Sequence, residues 1–451
     1  MHIKINKKLF KGIRKAIQKN DVQSLAEYAD TLQPADMADV IEHLAPVERA
    51  FVFSVLTAEQ AGDVLNEIEC PVQKQILAGL DNHQVSDILV QLDSDDAADI
   101  LGNLSEDRAA DILKNLEPDF SRELEKLLQY GKDTAGGIMD LEFVAVSEYG
   151  TAGDVINTIR QKKQQVKNLY HVWVVNHQDR LSGVVSLKDL LVSALDRKIK
   201  DIMNPEVISV PVQTDQEEVA RMFKKYDLVN MPVVNGDGLL LGRITHDDIM
   251  EVIQKEVDED LALLTGAMGH EIAEESFLKI SRGRLPWLIT GVFGGIVAAV
   301  VINQFETTLE QVIALSFFFP VIMGMGGNTG TQAATIVVRG MATGDIHLVN
   351  IKKRLWLETK VALVNGIACG LLLGLIVSFW FSDFALGSVV ALAGVLVVLN
   401  SGFTGSAVPF VLRKCSIDPA LATGPFITTL NDILGLLIYL GLLTLFLGST
   451  S

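Results

Sequence analysis

The chain has 451 residues and a formal net charge of -18, from 38 Lys+Arg against 56 Asp+Glu, yet 49% of it is hydrophobic and its mean hydropathy is +0.31. An acidic soluble chain of this length would divide into roughly three domains and be less apolar, so charge and apolar surface must occupy different stretches. A nucleic-acid binder is excluded by the lack of a dense basic patch, since the short run Lys4, Lys7, Lys8, Lys11, Arg14, Lys15 solvates a first helix.

Residues 285 to 451 hold seven basic side chains (Arg339, Lys352, Lys353, Arg354, Lys360, Arg413, Lys414) and seven acidic ones (Glu306, Glu310, Asp345, Glu358, Asp383, Asp418, Asp432). Residues 1 to 284 therefore carry the whole surplus, 31 basic against 49 acidic. Three scattered cysteines, Cys70, Cys369 and Cys415, supply neither a disulfide framework nor a thiolate zinc site, and fit a reducing compartment. The start of the chain lacks the apolar core and cleavage site of a secretory signal, so the acidic half is expected in the cytoplasm.

Broken every twelve residues, the first part of the chain aligns LQPADMADVIEHL from Leu32, LTAEQAGDVLNEI from Leu56, LDNHQVSDILVQL from Leu80, LDSDDAADILGNL from Leu92 and LSEDRAADILKNL from Leu104. Blocks from Leu44 and Ile68 keep the apolar frame but lose the Asp. Each unit predicts a turn with a capping Ser, Asp or Asn and then two helical turns, and such units stack into a helical solenoid. Asp39, Asp63, Asp87, Asp99 and Asp111 share one repeat position, which fits either a solvated helix face or an acidic surface for cations.

A second duplication spans residues 139 to 256. HVWVVNHQDRLSGVVSLKDLLVSAL from His171 matches NMPVVNGDGLLLGRITHDDIMEVI from Asn230, with Val174 and Val233, and Gly183 and Gly242, each 59 apart. The first copy has five extra residues, placed around QKKQQVK. The pair resembles the cystathionine-beta-synthase (CBS) module, an α+β unit whose Gly-x-hydrophobic-Ser/Thr-x-x-Asp endings contribute ribose-facing residues to adenosine-nucleotide sites. Here those endings are Gly183, Ser186, Asp189 and Gly242, Thr245, Asp248. The same spacing also has a local meaning, because a hydroxyl at that place caps a helix start.

From Asp247 to Leu278 runs a helix-prone acidic connector with Asp247, Asp248, Glu251, Glu256, Asp258, Glu259 and Asp260. It is stiffer than a Gly/Ser tether, and either transmits movement or only spaces the two halves. Five apolar runs follow, near 285 to 302, 314 to 338, 361 to 382, 386 to 412 and 419 to 448, each close to the roughly 20 residues that cross a bilayer. Basic residues flank the first run on its amino-terminal side (Arg282, Arg284) and fill the loops after the second and fourth. The Lys/Arg excess marks the cytoplasmic side, so the acidic half lies inside and the carboxyl terminus outside a plasma or inner membrane. Trp287, Trp356 and Trp380 sit at run ends as interfacial anchors to lipid.

Two features of the runs are unlike inert anchors. Gly324, Gly326, Gly327 and Gly330 surround Asn328 and Thr329 in FFFPVIMGMGGNTGTQAAT, which predicts either unwound backbone lining a watery path or close helix packing. Asp432 lies about twelve residues into the last run, roughly 18 Å deep at 1.5 Å per residue. An ionised Asp there costs about 2.5 to 3.5 kcal/mol or more and must face water, a cation or a partner. With no intramembrane Lys or Arg to pair with, a cation is indicated.

PVIMGMGGNTGTQAAT and DPALATGPFITTLNDILGLLIY resemble the signature segments of the MgtE family of magnesium channels. The resemblance covers nearly the whole chain and implies a multi-domain α-helical membrane protein. Its parts would be an acidic helical-repeat superhelix at 1–131, CBS copies at 132–200 and 201–258, a connector or plug helix at 247–281 and a five-span pore domain at 282–451. It further implies a homodimer with one pore at the subunit interface, Asp432 as its central acidic residue, and Gly326, Gly327, Asn328 and Thr428 along the path. Asp418 would stand near the cytoplasmic mouth. Cytosolic Mg2+ bound between the helical domain, the CBS pair and the connector would hold the pore closed. By position, the sensor candidates are Asp95, Asp96, Asp99, Asp247, Asp248, Glu256 and Glu259. ATP at Ser186, Asp189, Thr245 and Asp248 is a further expectation.

The function expected is Mg2+ uptake gated by cytosolic Mg2+. Its rivals are transport of Mn2+ or Co2+ and a membrane-anchored nucleotide sensor, and the latter has no use for Asp432 or the glycine cluster. An enzyme is not expected, since no His-Glu metal motif, nucleophile elbow or phosphate loop stands in the chain. Isolated histidines such as His171, His246 and His270 are expected to be surface or core residues.

Overall fold

The computed structural model describes residues 7–161, 169–265, 276–342, 346, 351–415, 417–422 and 424–450. The insertion expected around QKKQQVK, the connector from 266 to 275 and His270 lie outside the described residues. The chain divides into two compact units, Met1–Gln254 and Lys255–Ser451.

The first unit opens with α1 (Lys7–Gln18) and α2 (Val22–Thr31). All seven twelve-residue blocks then fold as single helices, including the two without the Asp: α3 (Pro34–Glu42), α4 (Pro46–Phe53), α5 (Ala58–Asn66), α6 (Cys70–Gly79), α7 (Asn82–Leu89), α8 (Ser94–Gly102) and α9 (Glu106–Leu113). A further helix, α10 (Pro118–Leu127), closes the series. Thr57 and Asp81 start their helices by accepting the backbone N–H three residues on, whereas α3, α4 and α10 begin with a proline, whose missing N–H costs nothing at a helix start. Asp93 and Ser105, at the equivalent capping position, make no such side-chain cap bond.

The period is enforced by burial. Ile41, Phe53, Leu65, Leu77, Leu89 and Leu101 recur every twelve residues and are all inside, so each block delivers one large apolar side chain to a common core. Helices pack on the next but one, α3 on α5, α5 on α7, α7 on α9, α4 on α6 and α8 on α10, which is the two-layered stacking of a solenoid. The repeated Asp39, Asp63, Asp87, Asp99 and Asp111 are all exposed, as a solvated helix face requires.

The duplication yields two matching sheets. The first copy contains β1 (Ala145–Ser147), α11 (Ala152–Gln161), β2 (His171–Val175), β3 (Leu181–Ser186) and α12 (Leu187–Val192). The second contains β4 (Val210–Pro211), α13 (Gln216–Tyr226), β5 (Asn230–Val234), β6 (Leu240–Thr245) and α14 (His246–Thr265). In each, the first strand runs parallel to the second and the second antiparallel to the third, with Val174 opposite Gly183 and Val233 opposite Gly242. Both register irregularities fall at the same repeat position.

The lead-in of each copy lies on the hairpin of the other. A Cβ on Gly183 would come within 2.7 Å of Met203 Sδ, and one on Gly242 within 2.9 Å of Met139 Sδ. The repeat-equivalent His171 and Asn230 meet, Nδ1 to Oδ1 at 2.7 Å, where the pseudo-twofold relates the copies. Asp140, next to Met139, forms a buried ion pair with Arg243 at 2.9 Å, and its other oxygen accepts from the Glu142 N–H at 2.6 Å and the Ser94 hydroxyl at 3.3 Å. Ser94 also accepts from the Leu141 N–H at 3.0 Å, so the start of α8 is tied to the lead-in of the first CBS copy, which Asp140 in turn ties to Arg243 of the second.

The second unit carries five helices long and apolar enough to cross a membrane: α15 (Phe277–Gln304), α17 (Phe319–Ala342), α18 (Ile351–Phe381), α19 (Phe384–Lys414) and α20 (Pro425–Thr450), with a short α16 (Glu306–Gln311) after the first. Three expectations change. The glycine cluster does not unwind α17, which is helical throughout, and Gly326, Gly327 and Gly330 are filled by side chains and backbone of neighbouring helices. The basic loop expected before the third span is helical from Ile351, so Lys352, Lys353 and Lys360 extend from α18 beside the exposed Trp356. Finally, Pro419–Ala422 is a separate 3-10 turn and α20 starts at Pro425. Asp432 thus lies seven residues into α20, roughly 10 Å along its axis.

Candidate functional sites: an intramembrane seam and a carboxylate cluster

In the membrane unit α17 and α20 pack so closely that side chains of one occupy the missing side chains of the other. A Cβ on Gly327 would lie 3.0 Å from Thr428 Cγ2 and 3.5 Å from Asp432 Oδ1. Thr428 and Asp432 are one turn apart on α20, and Thr428 Oγ1 stands 3.3 Å from Thr331 Oγ1 of α17. Gly327, Thr331, Thr428 and Asp432 therefore form one polar seam, with Asp432 partly exposed. Asn328 is exposed on the next position of α17. Gly326 is buried against Ser401 and Val397 of α19. Asp418 is exposed and accepts the Ala420 N–H at 2.8 Å, which shapes the turn before α20. Thr331 is the residue sequence reasoning missed; its place one turn after Gly327 was the available signal.

In the amino-terminal unit Asp95 and Asp96 occupy the first turn of α8, and Asp247 and Asp248 the first turn of α14. These turns face each other across the Ser94–Asp140 link. Burial, and then the charges of Asp248, Asp96 and Asp140, hold Asp95 well above the ordinary carboxylate range. Burial with the charges of Glu251, Asp248 and Asp93 pushes Asp96 up to about 8, although Asn66 donates to its Oδ2 at 2.9 Å. Asp248 is pushed up to about 6 by burial, against hydrogen bonds from the Thr245 N–H at 2.8 Å and hydroxyl at 2.5 Å. The more exposed Glu251, next to Asp248, Glu67 and Asp99, rises to about 7 through partial loss of hydration and those charges.

The structure therefore brings together Asp95, Asp96, Asp248 and, at the rim, Asp99 and Asp247. Glu256 and Glu259 lie further along α14, beyond the boundary of the second compact unit. Glu251 and Asp140 were missed: Glu251 follows Asp248 by one turn on α14, which was legible, whereas nothing in the sequence places Asp140 there. Among the described residues no three acidic, His or Cys side chains converge into a ready metal cage.

The two CBS endings are used differently. Ser186 accepts the Asp189 N–H at 3.1 Å and donates to its carboxylate at 2.6 Å, capping α12, and Asp189 stays exposed. At the start of α14 Thr245 donates to the Asp248 carboxylate from both its N–H and its hydroxyl, and Asp248 is drawn into the carboxylate cluster.

Comparison with known proteins bears on both sites. Residues 319–442 match the family described as MgtE, divalent cation transporter; residues 32–133 match the MgtE intracellular N domain; and residues 135–196 and 199–255 match the CBS domain. The chain is 35% identical over 449 residues to the magnesium transporter MgtE of Thermus thermophilus, covering 98% of this chain and 99% of that one. It is 34% identical over 429 residues to the magnesium transporter MgtE of Bacillus subtilis, covering 95% of each. The cytosolic domain of the Mg2+ channel MgtE solved in complex with ATP shares 33% identity and a TM-score of 0.52, over 54% of this chain and 99% of that one.

The raised carboxylates predict a pH dependence of definite sign. Groups whose folded pKa lies above the unfolded value, 3.8 for Asp, favour the fold at low pH and lose that contribution as pH rises through the folded values of about 6 for Asp248 and about 8 for Asp96. Without divalent cations the thermal midpoint of the amino-terminal unit should fall between about pH 4 and pH 8, and Mg2+ should restore it at the alkaline end. A midpoint that rises with pH, measured by calorimetry in chelator, would contradict this.

Proposed function

Since the chain belongs to the MgtE family of magnesium transporters, we propose that it is a homodimeric channel that admits Mg2+ to the cell and closes when cytosolic Mg2+ fills its acidic domain. The observation that carries the pore reading is the seam, where Asp432, an intramembrane carboxylate with no cationic side chain beside it among the described residues, lies over Gly327 and one turn above Thr428. A single seam presents one carboxylate; a twofold partner facing it would present two. Mg2+ sheds water reluctantly and prefers an octahedral shell, so two such carboxylates hold it through its water and select by hydrated size and charge. The amino-terminal unit lies in the cytoplasm in this reading, and five crossings leave the carboxyl terminus outside.

The sensor reading rests on the cluster around Asp95, Asp96 and Asp248. Facing carboxylates repel when free of cations and dock when a divalent ion bridges them. Because Mg2+ keeps most of its water, side chains that do not form a tight cage suffice. Ion binding then favours one arrangement of the amino-terminal unit, and α14, whose first turn carries Asp248, passes that preference towards the spans.

A second ligand is favoured by the contrast between the CBS endings and by the ATP complex of the relative's cytosolic domain. Asp189 is the carboxylate left free to meet a ribose hydroxyl, so ATP binds at the Ser186–Asp189 ending in preference to Thr245–Asp248.

Three outcomes test these readings. Asp432→Asn should lower Mg2+ flux into proteoliposomes at least about tenfold, the factor that 1.4 kcal/mol of lost cation stabilisation represents; wild-type flux would remove the pore assignment. Replacing Asp95 and Asp248 together by Asn should raise the cytoplasmic Mg2+ needed for closure in patch recordings by about fivefold or more; unchanged closure removes the cluster as sensor. Calorimetric titration with ATP should show Asp189→Ala weakening binding about tenfold, while Asp248→Ala has the smaller effect; the reverse order would move the nucleotide to the other ending.

A further inference from the structure

Directly before Asp432 stands Asn431, fully buried in the membrane unit. Its amide enters a notch that exists only because residue 330 is glycine: a Cβ there would overlap Asn431 Nδ2. On the other side Thr404 Oγ1 of α19 lies 2.6 Å from Asn431 Oδ1. The bond survives either orientation of the amide, because with the amide turned over Nδ2 donates to Thr404 Oγ1, which donates in turn to the Asn400 carbonyl at 3.0 Å. The adjoining Ser401 Oγ and Asn400 Nδ2 are buried and have no hydrogen-bond partner among the described residues. Ser401 in turn lies 3.2 Å from where a Cβ of Gly326 would be, so α17, α19 and α20 meet at this one polar node.

A buried polar side chain in a bundle of apolar helices fixes register, because any rotation of its helix would strand it without a partner. Neighbouring positions on an α-helix are about 100° apart, so a key at 431 also sets the direction of 432. We propose that Asn431 is the positioning residue of the ion path: keyed into the Gly330 notch and held by Thr404, it locks the rotation of α20 that sets Asp432 over Gly327. This rests on the reading of Asp432 as the pore carboxylate. It assigns the second half of the glycine cluster a purpose, since Gly327 admits the carboxylate and Gly330 admits the key.

The test is a mutant cycle on the full-length protein in proteoliposomes, reading Mg2+ flux and the Mg2+ to Ca2+ flux ratio, each normalised to reconstituted folded protein. Gly330→Ala expels the amide and should reduce flux about tenfold, the factor expected from overpacking a tight helix contact. Asn431→Ala keeps flux within a few-fold of wild type but moves the flux ratio towards unity, because Asp432 is no longer held in one direction. In the double variant the methyl introduced at position 330 fills the space that the amide has left, and flux returns to the level of Asn431→Ala. Asn431→Ser, which retains a hydroxyl for Thr404, restores part of the ratio.

Equal damage by Gly330→Ala in both backgrounds overturns the notch, and a wild-type flux ratio in Asn431→Ala overturns the positioning role, leaving only packing. Asp432→Asn separates the two levels of failure. If it abolishes flux while Asn431→Ala leaves the ratio unchanged, this inference alone falls; if it retains wild-type flux, the pore reading falls and this one with it.

Discussion

A carboxylate held out of water with no cationic side chain beside it is the physical constraint on which both halves of the molecule turn. Burial of a charge is tolerated when a partner compensates, and Asp140 shows the ordinary solution, a buried pair with Arg243. Asp95, Asp96 and Asp248 have no such ion pair among the described residues, and burial with the charges of neighbouring carboxylates raises them. Such a group either takes up protons or recruits a cation, and Asp432 poses the same demand inside the membrane. The same chemical demand thus recurs in both compact units.

The fold makes the cluster tolerable through its neighbours. Asp95 and Asp96 sit at the amino-terminal end of α8, where unpaired backbone N–H groups and the helix dipole favour negative charge, and Asp247 and Asp248 do the same on α14. The twelve-residue period fixes where α8 falls in the solenoid, and the Ser94–Asp140–Arg243 chain fixes α8 against the second CBS copy. This tie stands at the start of α8, and Lys132 makes another at its end by donating to the Gly102 carbonyl and the Asn103 side-chain oxygen.

Much of this was legible from the chain. The twelve-residue frame shows in the leucines, because one buried apolar residue per block is what stacking needs, and the 59-residue offset between Val174 and Val233 shows in the strand pairing. Apolar runs gave all five spans, since hydrocarbon thickness sets a length that composition reveals. What composition could not show is which neighbour fills a gap. Glycine clustering is equally compatible with an unwound strand and with close helix contact, and only the position of Asn431 and Thr428 against Gly330 and Gly327 decides for contact. Asp140 was invisible for a similar reason: its partners Ser94 and Arg243 stand 46 and 103 residues away. The start of the last helix was placed too early because Pro419–Ala422 reads as apolar as the helix it precedes.

The duplication of the CBS unit places two endings of one motif in different surroundings. Two copies of the same motif begin as near equivalents, each ending in a hydroxyl that donates to a carboxylate three residues on. The solenoid, however, reaches only one of them, because α8 is tied to Asp140 and Asp140 pairs with Arg243 of the second copy. Docking there removes water from Asp248 and surrounds it with like charge, while Asp189 keeps its solvent. An asymmetric neighbour thereby converts a symmetric pair into one ending crowded by carboxylates and one open to solvent. No change of motif is required, only a change in what stands opposite it, which is why the motif by itself could not tell the two apart.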